Sequence, residues 1–241
     1  MGKRLWPISD MNTPKQFIKF FHQKSLFDLT LERVKQLSSI NPIIVASKKH
    51  KKNIITSLKK SKIKANIIFE EVGKNTTSAI IFGLICAIEN YQSCSVVIMP
   101  SDHFISDNSK FKSAIMEVLK KESKFNWLLL GIKPTFPSTA YGYIETKGIG
   151  NVKEIKNFFE KPILSKAKKL IKKNNVYWNS GIFLGNADII LNSIKINANE
   201  IYLQSHLAWK NRKLFQQNQI VIKKEFLNNI NSESIDNAVI E

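Results

Sequence analysis

Several residues in this sequence are of types that could handle phosphate, metal and sugar. Arg4 and Lys15 flank a Pro-bounded loop, and two fixed cations so placed could hold a polyphosphate. Taken singly, either reads at least as well as a surface charge. Asp102, in Pro100-Ser101-Asp102-His103, follows the apolar run 96–99. A carboxylate at the carboxyl end of a parallel strand suits Mg2+, which prefers hard oxygen ligands; a helix-cap or turn aspartate is an equal alternative. Glu160-Lys161-Pro162 pairs an acceptor for sugar hydroxyls with a cation for a phosphate. Tyr141-Gly142-Tyr143 offers a glycine where a ligand could approach the backbone, and Trp178-Asn179-Ser180-Gly181 an amide beside a glycine. In isolation those last two are more often turn and packing residues.

The elements that must position these residues alternate. Short apolar runs at 43–46, 66–69, 96–99 and 127–131 read as buried strands. Helical patterns separate them at 25–37, 50–60, 76–91 and 109–123. The first opens on Ser25 and Asp28, a capping-box pair, and carries Phe27, Leu31, Val34 and Leu37 on one face. Strand–helix repetition predicts an α/β fold: a mostly parallel, Rossmann-like sheet with helices on both faces, and ligands beyond the carboxyl ends of its strands. After Pro134 the pattern becomes β-rich, with strands at 140–145, 152–159 and 177–184 and a helix at 165–173. The tail from Asn186 reads as mostly helical. Neither a linker nor a repeat interrupts the chain, so residues 1–241 are taken as one domain.

Composition narrows the function classes. With 43% hydrophobic and 10% aromatic residues in 241, the chain can bury a large core and is not a disordered protein. Its longest apolar run, 79–88, is too short to span a bilayer, and no apolar leader follows the basic start, so a soluble cytoplasmic protein is expected. Cys86 and Cys94, the only cysteines, lack the spacing of a zinc site. The net charge of +18 would attract phosphate-bearing partners. Because the lysines are spread over many polar helix faces, a solvated basic surface is expected and nucleic acid is not.

Eight motifs in order raise the weight of each. Arg4-Leu5-Trp6-Pro7, Pro14-Lys15-Gln16-Phe17, Gly73-Lys74-Asn75-Thr76, Pro100-Ser101-Asp102-His103, Thr139-Ala140-Tyr141-Gly142-Tyr143-Ile144, Phe159-Glu160-Lys161-Pro162, Trp178-Asn179-Ser180-Gly181 and Ser234-Ile235-Asp236 run from one end of the chain to the other. The series resembles the bacterial mannose-1-phosphate guanylyltransferases. The resemblance implies the nucleotide-diphospho-sugar transferase fold with a sugar-binding β insertion. It also implies transfer of GMP from GTP to mannose 1-phosphate, with Mg2+ as cofactor. By the same resemblance Arg4 and Lys15 would steady the nucleotide phosphates, beside Gly2, while Gly73, Asn75 and Thr76 would line the guanine pocket. Asp102 would bind the metal. Gly142, Glu160 and Asn179 would contact the sugar, and Lys161 its phosphate, so that Arg4, Lys15, Asp102 and Lys161 form the catalytic set.

The sequence also departs from that family. No apolar first strand and glycine-rich stretch precede Arg4, and only Gly2 stands there; Lys74 replaces the usual Arg, Glu71 the usual Pro and Ala140 the usual Gly. Nor does a Trp-Ser-Asp segment, which holds the family's second metal ligand, or a cupin-like isomerase domain follow Glu241. The expectation is an incomplete nucleotidyltransferase domain, weakened by truncation. Alternatives are a non-catalytic sugar-phosphate-binding remnant, an enzyme for another sugar 1-phosphate, and one part of a homo-oligomer or of a pair of complementing fragments.

Overall fold

A computed structural model describes residues 14–21, 23–120, 127–215 and 218–240. In chain order the elements are β1 (Lys19–Phe21), β2 (Lys24–Ser25), α1 (Leu26–Leu37), β3 (Ile43–Ser47), α2 (Lys51–Ser61), β4 (Asn66–Glu70) and α3 (Asn75–Tyr91). There follow β5 (Ser95–Ile98), α4 (Asn108–Leu119), β6 (Leu128–Ile132), β7 (Tyr143–Lys147), β8 (Glu154–Phe159) and α5 (Leu164–Leu170). The last are β9 (Val176–Asn186), α6 (Ala187–Asn197), α7 (Asn199–Lys210), β10 (Lys213–Phe215), β11 (Gln219–Ile222) and the single turn α8 (Lys224–Leu227). Two compact units emerge, one from residues up to Gly73 with Pro100–Glu117 and Gln204–Asn229, the other from Lys74–Met99, Val118–Leu203 and Ile230 onward.

The first unit is built on a four-stranded sheet in the order β10-β11-β4-β3, in which β3, β4 and β11 are parallel and β10 is an antiparallel edge. Strand β4 is paired on both sides and covered on both faces, so all five of its residues are buried. Helices α1 and α2 pack Phe27, Leu31, Ile54 and Leu58 against Ile67 and Phe69 of β4 and Val221 of β11. Helix α1 starts where the sequence indicated: Ser25 Oγ accepts from the Asp28 N–H at 3.1 Å and Asp28 Oδ2 accepts from the Ser25 N–H at 3.0 Å, a complete capping box.

The second unit centres on β9, the longest described strand, with β5, β6 and β7 all antiparallel to it and β8 antiparallel to β7. Helix α3 is apolar for most of its length and buries nine residues between Thr77 and Ala87.

The α/β, Rossmann-like class therefore holds, with a mixed pattern of pairing. The strands expected at 96–99 and 127–131 are present as β5 and β6, yet both run antiparallel to β9; apolar runs report burial on two faces, not the direction of a partner. The tail expected to be helical also supplies β10 and β11, and β11 is the second parallel neighbour of β4. No helix among the described residues is long and apolar enough to cross a membrane.

Candidate active site

In the first unit, Lys15 and Asp102 meet in an ion pair, Lys15 Nζ donating to Asp102 Oδ2 at 3.0 Å. Lys15 opens a short 3-10 turn after Pro14, whose fixed φ suits such a start, and Phe17 pins that turn through ring contacts with Phe27 and His50. The loop carrying Asp102 is held from α1. Thr30 Oγ1 reaches the Ser101 carbonyl at 3.5 Å, and Arg33 donates to the His103 carbonyl at 3.4 Å and to Asn108 Oδ1 at 3.3 Å. Arg33 is only 2% exposed and has no carboxylate partner among the described residues; burial lowers its pKa, and its guanidinium lies 5.6 Å from the Phe111 ring centre. A buried cation satisfied by carbonyls fixes where those carbonyls sit, which makes Arg33 the backing of the Asp102 loop.

Asp102 suits a hard cation. Its side chain is half-exposed, one carboxylate oxygen is on Lys15, and the other has no hydrogen-bond partner among the described residues. No cluster of three or more His, Cys, Asp or Glu able to hold a metal occurs among the described residues, so any ion here would take most of its ligands from water and substrate.

Glu70 ends β4 with 6% exposure, and its Oε1 has no hydrogen-bond partner among the described residues. Burial pushes its pKa up to about 7. The next residue, Glu71, lines a cavity of about 610 Å3 with Lys48, Lys213 and Lys224 among others, past the carboxyl ends of β3, β4 and β11.

The second unit brings together the residues expected to bind sugar phosphate. Gly142 carries a backbone that two site residues approach closely: a Cβ built there would lie 2.8 Å from Glu160 Oε2 and 3.4 Å from Asn179 Cβ. The Asn179 N–H donates to the Gly142 carbonyl at 2.8 Å, and Lys161 pairs with the Glu160 carboxylate. Glu160 and Lys161 line a cavity of about 650 Å3 together with Asn75, Asn231, Ser232, Glu233, Ser234 and Asn237. Asn75 and Lys161 both hold positive φ, 70° and 39°, a conformation that non-glycine residues adopt at a cost and that recurs at binding sites.

Of the expected site residues, Gly2 and Arg4 lie outside the described residues. Lys15, Asp102 and Gly73 belong to the first unit; Asn75, Thr76, Gly142, Glu160, Lys161 and Asn179 belong to the second. Asn75, expected beside the nucleotide, shares its cavity with Glu160 and Lys161. Thr76 uses its hydroxyl to accept the Ile235 N–H at 2.9 Å. Among residues with no role expected from sequence, Arg33 and Asp236 stand out. Asp236 Oδ1 accepts from Asn179 Nδ2 at 2.6 Å, and the only hint of it was its place in Ser234-Ile235-Asp236.

A family profile described as nucleotidyl transferase matches residues 1–219. The mannose-1-phosphate guanylyltransferase RfbM of Salmonella typhimurium is 34% identical over 245 residues, covering 100% of this chain and 51% of RfbM. A mannose-1-phosphate guanylyltransferase of Escherichia coli is 32% identical over 250 residues, covering 100% of this chain and 53% of its own. The chain thus spans about half the length of the curated relatives it matches. A crystal structure described as mannose-6-phosphate isomerase from Helicobacter pylori superposes with a TM-score of 0.87 at 28% identity, over 95% of this chain and 89% of that one.

Proposed function

This chain belongs to the nucleotidyl transferase family, and from that premise we propose that it transfers GMP from GTP to mannose 1-phosphate, giving GDP-mannose and pyrophosphate. The observation that carries this reading is the convergence of Gly142, Glu160, Lys161 and Asn179 in one subsite with an acceptor, a cation and an amide. The names of the two guanylyltransferase relatives support the choice of nucleotide and sugar.

In this reaction an oxygen of the sugar phosphate attacks the α-phosphorus of GTP. A new P–O bond forms as the bond to the α,β-bridging oxygen breaks, and pyrophosphate leaves with the electron pair. No protein nucleophile is required, so positioning and charge neutralisation must supply the rate. Lys15 and Arg4 steady the nucleotide phosphates, with Gly2, Gly73, Asn75 and Thr76 on the nucleotide side. Lys161 neutralises the sugar phosphate, while Glu160 accepts from and Asn179 donates to its hydroxyls. Asp102 would hold Mg2+, which typically takes one or two carboxylates, several waters and substrate phosphates. Bound there, the ion would neutralise charge on the phosphates. The Lys15–Asp102 contact reads as a resting pair, Lys15 exchanging carboxylate for phosphate as substrate binds.

The test is a purified-chain assay with GTP, mannose 1-phosphate and Mg2+, following GDP-mannose by ion-exchange chromatography and pyrophosphate by a coupled colour reaction. Both products are expected, and both vanish with EDTA. Sugar-phosphate binding by calorimetry without Mg2+-dependent GTP binding would mark a non-catalytic binding protein instead. Conversion of mannose 6-phosphate to fructose 6-phosphate without GDP-mannose would favour the activity named for the Helicobacter protein.

A further inference from the structure

We propose that Asp236 is the positioning residue of the sugar-phosphate subsite: it locks the Asn179 carboxamide so that one N–H is left to donate to a hydroxyl of a sugar 1-phosphate. The inference rests on the sugar-phosphate reading of this subsite and adds to it a residue that acts through Asn179.

The hydrogen-bond inventory of Asn179 is nearly closed. Its Oδ1 accepts from the Gly181 N–H at 2.9 Å, and its Nδ2 donates to Asp236 Oδ1 at 2.6 Å. A backbone N–H can only donate, so Gly181 forbids the flipped amide, and Asp236 Oδ1 then takes one of the two Nδ2 protons and holds the carboxamide plane from its other end. One Nδ2 proton remains uncommitted among the described residues. It lies on the side chain next to Gly142 and, across that glycine, to the Glu160 carboxylate. An amide donor beside a carboxylate acceptor is the pairing that two neighbouring sugar hydroxyls can satisfy, one accepting and one donating.

Asp236 is not needed to hold its own segment. Ile235 is 1% exposed, its N–H bonds Thr76 Oγ1, and the Glu233 carbonyl accepts from Thr77 Oγ1 at 2.9 Å. The segment is thus tied to the start of α3 on both sides of Ser234, and it packs on α6 as well. Burial and the neighbouring Glu160 charge both act to raise the pKa of Asp236, so placing a carboxylate here costs stability. A group that costs stability and spends its short bond on Asn179 is explained by what it does to Asn179.

The experiment is calorimetric titration of the whole chain with mannose 1-phosphate, using the parent and the Asp236→Ala, Asp236→Asn, Asn179→Ala and Asp236→Ala/Asn179→Ala variants, each checked by thermal melting. Asp236→Ala should weaken binding roughly tenfold, the usual cost of one well-placed hydrogen bond, while GTP binding stays within about twofold. Asp236→Asn, which keeps an acceptor oxygen, should recover part of that loss. The double variant should bind no worse than Asn179→Ala alone, because the two residues act as a unit. Unchanged binding in Asp236→Ala, or additive losses in the double variant, overturns the role of Asp236 and leaves the subsite standing. A parent chain that binds neither mannose 1-phosphate nor glucose 1-phosphate overturns the subsite itself.

Discussion

Asp102 and Lys15 form an ion pair between side chains 38% and 43% exposed, and pairs so wet contribute less than about 1 kcal/mol to stability. The role proposed for them is in binding, not in holding the fold. Asp102→Asn should therefore melt within about 2 °C of the parent while losing on the order of 100-fold in GDP-mannose formation, measured side by side. Glu70 is the opposite case, a residue whose ionisation works against the fold. Its pKa rises from an ordinary 4.5 to about 7. Below pH 4.5 the carboxyl is protonated in folded and unfolded chains alike, and its burial brings no penalty. Between 4.5 and about 7 only the unfolded chain releases the proton, so stability falls as pH rises; above about 7 the loss is complete, roughly 3 kcal/mol. Glu70→Gln should flatten that part of the stability–pH profile in urea melts and stabilise the protein at pH 8.

At the scale of elements, helix α2 ends on Lys62 in the left-handed region, φ 55° and ψ 35°, with the Lys62 N–H on the Leu58 and Lys59 carbonyls. Glycine is the residue that tolerates such a cap without steric cost, so Lys62→Gly should stabilise the protein by about 1 kcal/mol and raise its Tm by roughly 2–4 °C in calorimetry. Local signals of this kind are what the sequence carries well. The capping box of Ser25 and Asp28 spans four residues and is found as read. That Glu160, Lys161 and Asn179 would lie together could be anticipated from residue type and motif order, and the structure places them around Gly142. Strand direction is not legible: β5 and β6 differ from β3 only in which strand lies beside them. Nor is β11, four residues in a tail rich in Lys and Asn, whose partner β4 is remote in sequence. Asp236 escapes for the same reason, since its bond to Asn179 spans 57 positions.

For the whole molecule, 37 Lys and Arg against 19 Asp and Glu leave a formal charge of +18, and both proposed substrates are anions. Long-range attraction should speed their capture and be screened within about 10 Å at 0.1 M salt. Raising KCl from 50 to 500 mM should lower kcat/KM for both substrates several-fold with little change in kcat, read from initial rates. A salt-insensitive kcat/KM would show that the charge serves solubility alone.

The parallel pairing of β11 with β4 sets Gln219 opposite Ile67. During synthesis, β4 emerges from the ribosome long before the strand that will flank it. Until then one edge of a strand destined for full burial, Asn66–Glu70 with its apolar centre Ile67, Ile68 and Phe69, has no native neighbour and can template wrong pairings. Folding of the first unit must wait for translation to pass Ile222, a non-local closure of the kind that makes folding slow. Expression yield should depend on chaperones that shelter nascent chains more than on the stability of the finished protein.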